Sequence, residues 1–199
     1  MTRQRWRLQI KKLPQLVVLT ALFALLPASG AAQGHPDPEL RKVLLAAVSE
    51  ADSFPDRFEA EVWLTDMSAR LARIVDDPEE RIAILTRVHY EASRAELPPE
   101  LVLAVIEVES NFDRYAVSVA GALGLMQIMP FWLDEIGRPD DNLLHIDTNL
   151  RYGCTILRYY LDKEKGDLRR ALGRYNGSLG KRKYPNLVVD KLTRRWFRA

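Results

Sequence analysis

Pro98-Pro99-Glu100-Leu101-Val102-Leu103-Ala104-Val105-Ile106-Glu107-Val108-Glu109-Ser110 reads as a helix that is apolar on nearly every side. Proline suits a first helical turn, where the missing N–H would have no partner. From Leu101 to Ile106 no polar residue interrupts the run, so such a helix lies out of water. It delivers Glu109 to its far end. Burial disfavours the charged form of a carboxyl, so a group held there keeps its proton to higher pH, as a general acid working near neutrality must. Glu107 and Glu109 are two apart and point to nearly opposite sides of a helix. At most one of them faces a given cleft. Ser110-Asn111-Phe112 leaves the helix beside Glu109 and opens a concavity there, whereas Glu107 reads as the partner of a basic residue or as a solvated edge.

Outward from this segment the chain predicts more helices and an all-α fold, since strand-type alternation is absent and Pro and Gly fall between segments. Upstream, helices are expected over Glu39–Ala51, over 57–75 with Val62, Leu64, Met67, Leu71 and Ile74 inward, and after Asp77-Pro78-Glu79-Glu80. In that last stretch Asp77 caps, Pro78 takes the first position and Glu80 completes a capping box. Ile82, Leu85, Val88 and Ala92 form its inner face. Downstream, a turn at Gly121 and Gly124 precedes a short helix around Leu125–Met129, then another turn or two over Phe131–Ile136. Asp147 or Thr148 is expected to cap a long helix with Leu150, Cys154, Leu157, Tyr160 and Leu161 on one face. Asp167 caps the next, with Leu168, Ala171, Leu172 and Tyr175 inward, and a last helix covers 185–196.

Residues 1–32 read as a secretory signal peptide. Arg3, Arg5, Arg7, Lys11 and Lys12 precede the apolar Leu16–Leu26, and small residues end at Ala31-Ala32. The expectation is an exported, periplasmic protein, with an uncleaved membrane anchor as the alternative reading, although the apolar run is short for a span. Without the five basic residues of 1–32, the 29 Lys+Arg fall to 24 against 27 Asp+Glu, turning a formal +2 into −3. Nucleic acid thereby loses its support as a partner. The remaining length of about 167 residues suits one domain. The single cysteine, Cys154, excludes an internal disulfide and reads as a small buried hydrophobe. His35, His89 and His145 have no ligand spacing, so neither a metal nor another cofactor is implied.

Glu109-Ser110-x-Phe112, Ala116-x-Ser118-x-x-Gly121-Ala122-x-Gly124-Leu125-Met126-Gln127-Ile128-Met129-Pro130 and Tyr175-Asn176 together resemble the soluble lytic transglycosylases, the SLT family. The likeness covers 97–199. It implies a lysozyme-like helical catalytic domain, preceded here by a small helical region over 35–96. The implied activity is cleavage of the β-1,4 bond between N-acetylmuramic acid and N-acetylglucosamine of peptidoglycan, leaving a 1,6-anhydro ring. It makes Glu109 the single acid and base. Ser118 would sit near the substrate N-acetyl group, Gln127 and Met129 would line the glycan cleft, Tyr175 would place its hydroxyl beside the acid, and Asn176 would brace it. Ser110, Gly121, Gly124 and Met126 support the site. The chain departs from the family at Arg174, where a small residue is usual before Tyr-Asn. Peptidoglycan strands are the expected partner of a monomeric enzyme, with recruitment to an envelope-spanning assembly left open.

Two other readings stand beside this one: a hydrolysing muramidase with a second carboxylate, and a non-catalytic wall-binding or assembly protein. A glycoside hydrolase uses two carboxyl groups. Asp113 reads as a local cap, and Asp134, Glu135, Asp140 and Asp141 lie on a polar loop, so no second carboxylate stands out. The tract Lys181-Arg182-Lys183 and the tail Arg194, Arg195 and Arg198 read first as solvated faces. Phe131, Trp132, Tyr184 and Trp196 read as core at least as much as a sugar-stacking surface.

Overall fold

Solvent reaches almost none of the Leu101–Ile106 run, whose residues are at most 3% exposed. The computed structural model describes residues 53–138 and 140–197. Among them lie seven helices: α1 (Arg57–Leu71), α2 (Pro78–Arg94), α3 (Pro99–Glu109), α4 (Phe131–Ile136), α5 (Ile146–Lys163), α6 (Leu168–Tyr175) and α7 (Lys183–Lys191). A π-helical turn, Leu192–Trp196, follows α7. The only β-type pairing among the described residues is two isolated bridges, Val117 to Leu123 and Leu123 to Ile128. The all-α class expected from the sequence therefore holds. The expected helix Glu39–Ala51 and the targeting segment lie outside the described residues.

The apolar helix α3 is the axis on which the rest is assembled. It packs against α2, α7 and the π turn, while α5 packs on α2 and α6. Each large apolar side chain fully removed from water contributes about 1.5–3 kcal/mol, and α3 supplies six consecutive buried apolar residues, Leu101 to Ile106. Helices α1 and α2 share this hydrophobic core with the later elements.

Caps set several helix starts. Asp56 accepts from the Glu59 N–H at 2.8 Å, Asp77 from Glu79 N–H at 2.9 Å, and Asp167 from Arg170 N–H at 3.1 Å. The expected capping box differs, because Asp77 is engaged by Glu79 and Glu80 makes no reciprocal bond among the described contacts. Nor do Asp147 and Thr148 cap α5. That helix begins at Ile146 without a side-chain cap, placing both residues inside its first turn.

Three further expectations are corrected. Helix α1 stops at Leu71, and its inner face is Ala60, Leu64, Met67 and Leu71, with Val62 53% exposed. The stretch Leu125–Met129 is not helical. Leu123 and Ile128 exchange both backbone hydrogen bonds at 2.9 Å, and Gln127 has φ of 50°, which closes a tight turn instead. The final helix starts at Lys183, and its last turn widens into the π form. Arg70 of α1 donates to the carbonyls of Arg195 and Trp196 there (2.7 and 3.1 Å), satisfying groups that a helix end leaves open.

Candidate active site

Glu109 closes α3, and the chain turns away from it through two consecutive left-handed residues, Asn111 (φ 50°) and Phe112 (φ 65°). Side chains other than glycine seldom adopt this region, so something must hold the reversal. Phe112 is buried with its ring 5.6 Å from that of Trp196, and Ser110 Oγ donates to the Leu125 carbonyl at 2.8 Å. Ser110 thus ties the end of α3 to the Gly-rich loop.

A cleft of about 350 Å³ opens above this helix end, lined by Glu109, Asn176, Ser178, Tyr184 and two lysines between apolar walls from Val108 and Leu187. Glu109 is the only carboxylate among those lining residues. Tyr184 donates its hydroxyl proton to Glu109 Oε1 at 2.6 Å. Burial holds the Glu109 carboxyl above its ordinary value of 4.5, against hydrogen bonds from Tyr184 and Asn176 that pull it down. The carbonyl end of α3 adds to the upward push, because helix C-termini disfavour negative charge. Burial, then the charge of Glu109, pushes the phenols of Tyr175 and Tyr184 well above 10. Both therefore remain proton donors.

Glu107 faces the opposite way, as its spacing from Glu109 requires. It is 6% exposed and receives Lys191 Nζ at 2.7 Å, Trp196 Nε1 at 2.9 Å and Arg195 at 3.3 Å. The expected basic partner is present, and the solvated alternative is excluded. Glu107 clamps α7 and the π turn to α3, and so positions Tyr184.

Other expected site residues lie on the loop that Ser110 ties to the end of α3, and Ser118, Gln127 and Met129 are not among the residues lining the Glu109 cleft. Ser118 Oγ accepts from Ala122 N–H at 2.9 Å, inside a turn closed by Gly121 N–H on the Ser118 carbonyl. Gln127 Nε2 donates to the carbonyls of Ala116 and Gly124 (3.2 and 3.1 Å). Met129 is half-buried at the foot of α4, its carbonyl accepting from Trp132 N–H. Met126 is fully buried. A Cβ on Gly124 would come within 2.5 Å of Asn149 and 2.6 Å of the Leu143 carbonyl, so close approach explains that glycine. Gly121 has open space around it, and only its φ of 85° calls for glycine.

Tyr175 stands within reach of the Glu109 charge but is not hydrogen-bonded to the acid. Its hydroxyl donates to the Met126 carbonyl at 2.8 Å, so the phenol bonded to the acid is Tyr184, 75 residues away in the chain. Arg174 turns to Glu164, which it shares with Arg170. Asp113 caps locally by accepting from Tyr115 N–H at 2.8 Å, as its position suggested.

Asn149 is the residue that sequence reasoning missed most completely. Only 1% exposed, it accepts from Met126 N–H at 2.7 Å and donates to the carbonyls of Leu123 (2.8 Å) and Leu143 (2.7 Å). One amide thus pins the Gly-rich loop to α5. Asn149→Leu should orphan three buried groups at about 1–3 kcal/mol each. The expected result is a lower unfolding midpoint together with faster hydrogen exchange at the Met126 amide.

With this geometry in place, the chain belongs to the transglycosylase SLT domain family, whose model matches residues 87–195. It is 35% identical over 91 residues to the membrane-bound lytic murein transglycosylase C of Haemophilus ducreyi, covering 39% of this chain and 25% of that protein. The protein of the same name from Actinobacillus pleuropneumoniae is 50% identical over 46 residues, 23% of this chain and 13% of the relative. A transglycosylase of Enterobacteria phage PRD1 is 32% identical over 103 residues, 48% and 38% of the two chains. These matches therefore span well under half of each relative. Among solved structures, an inactive mutant of the lytic transglycosylase Slt from Pseudomonas aeruginosa aligns with a TM-score of 0.44 and 21% identity. That alignment covers 80% of this chain and 34% of the other.

Proposed function

We propose that this protein is an exported peptidoglycan lytic transglycosylase, acting in the periplasm as a monomer on the bond between N-acetylmuramic acid and N-acetylglucosamine. The observation that carries the reading is the lone carboxyl of the cleft: Glu109, half-buried, with its basicity raised and its neighbour Glu107 locked away on the far side. Two-carboxylate hydrolysis needs a second acid flanking the bond, and among the described residues that line this cleft there is none.

In the proposed reaction Glu109 protonates the glycosidic oxygen as the bond from muramic C1 breaks. The muramic 6-hydroxyl attacks C1 from within the same sugar, and the Glu109 carboxylate takes the hydroxyl proton. A 1,6-anhydro ring forms, the glucosamine leaves with its 4-hydroxyl, and the acid regains its starting state without consuming water. Holding nucleophile and electrophile on one ring removes the entropy cost of recruiting a water. Tyr184 fixes the carboxyl orientation and Asn176 braces it, while Ser118, Gln127 and Met129 contact the glycan from the flanking loop. Ser110, Gly121, Gly124 and Met126 shape the loop that carries them.

Mass analysis of digested peptidoglycan tests the reading. Fragments ending in anhydromuramic acid, one water lighter than hydrolysis products, are the expected result; reducing muramic ends alone would assign hydrolysis instead. Tyr184→Phe should slow cleavage roughly tenfold by loosening the acid. Losing that hydrogen bond also raises the Glu109 pKa further, so the alkaline limb of the pH profile should move to higher pH.

A further inference from the structure

One wall of the Glu109 cleft is built for negative charge. Lys181 and Lys183 line it, and so does Ser178, whose hydroxyl oxygen is buried with no hydrogen-bond partner among the described residues. Helix α7 begins at Lys183 with no side-chain cap, so the positive end of its dipole opens on the same wall. The ion pairs around it are made elsewhere: Arg170 and Arg174 to Glu164, Lys191 and Arg195 to Glu107, and Arg194 to Asp190. Lys181 and Lys183 are left without an acidic partner among the described residues. An unpaired hydroxyl, two unpaired ammonium groups and an uncapped helix start on one face converge on an anion.

Building on the transglycosylase reading, we propose that Ser178, Lys181 and Lys183 form a subsite for a carboxylate carried by the glycan strand. Ser178 donates a hydrogen bond, and the two lysines supply charge as flexible point cations. In peptidoglycan the carboxylate has two sources, the peptide stem or the lactyl group exposed once a stem is removed. The subsite therefore selects acidic strands over neutral glycans of the same length. Lys181-Arg182-Lys183, which reads as a solvated face in the sequence, becomes a specificity element beside the acid.

The test uses Glu109→Gln protein, which binds without turning over, and three ligands: stem-bearing strands, amidase-stripped strands with free lactyl carboxylates, and neutral chitotetraose. Adding Lys181→Ala and Lys183→Ala should weaken one or both acidic ligands roughly tenfold, about what two exposed charge contacts supply. Chitotetraose affinity should not change. Whichever acidic ligand weakens identifies the carboxylate, and Lys181→Glu with Lys183→Glu should deepen the loss. Equal affinity for acidic strands before and after, or the same loss on all three ligands, overturns the subsite while leaving glycan binding intact. Failure of the Glu109→Gln protein to bind any of the three would overturn the glycan reading itself, and this inference with it.

Discussion

Glu109→Gln is expected to reduce peptidoglycan cleavage by about 10²–10⁴-fold, the range a positioned general acid supplies, while strand binding survives. The substitution keeps the size of the side chain and an oxygen that can accept from Tyr184. What disappears is the transferable proton. The same change has a thermodynamic signature of opposite sign. A carboxyl whose pKa is raised by folding favours the native state fully below the unfolded value, and that contribution is lost as pH rises through the folded value. At pH 7 wild-type Glu109 is therefore a burden on stability, and Glu109→Gln should unfold at a higher temperature than wild type. The two midpoints should converge in acid, where Glu109 is protonated in both folded and unfolded chains. Thermal scans at pH 3 and pH 7 beside the cleavage assay check both halves. An inactive variant that is less stable at pH 7 would mean that the acid is not held against its preference.

The second large effect is expected at Glu107, a residue that never meets substrate in this account. Glu107→Ala removes the acceptor for Trp196 Nε1 and the counter-charge for Lys191 and Arg195 at once. Orphaning the buried indole N–H costs about 1–3 kcal/mol, and the two cations left behind are about a third exposed and add little more, so a fall of roughly 5 °C in Tm is expected. Glu107→Gln keeps an acceptor for the indole and should lose less. Because Glu107 holds α7 against α3, the variants should also lose activity through Tyr184, and they should do so with kcat falling more than affinity. Unchanged stability in Glu107→Ala would show that α7 is held in some other way.

The features legible in the sequence are those written locally. Asp77-Pro78 and Asp167 announce helix starts because a cap needs only its own next three residues. Leu101–Ile106 announces burial because it is apolar at every helical angle. The contrast between Glu107 and Glu109 follows from two residues of helical spacing. What escaped is written across distance. Tyr184 hides in a lysine-rich tract 75 residues from the acid it contacts. Asn149 looks like one more polar residue near a helix start, and only its three partners at 6 to 26 residues' separation reveal its role. Leu125–Met129 has helix-forming residues, yet the Leu123–Ile128 pairing and the left-handed Gln127 override that preference. Val62 points outward because the buried face of α1 runs through Ala60, Leu64, Met67 and Leu71.

Titration of the Glu109 carboxyl by carbon NMR, using protein labelled at glutamate and Glu109→Gln to assign the signal, measures whether the fold holds this acid in its protonated form. A midpoint clearly above 4.5 is expected, moving higher still in Tyr184→Phe. A midpoint at or below the ordinary carboxylate value would contradict the role of Glu109 as the acid, since a group that ionises so readily has no proton to give at a sugar linkage near neutral pH.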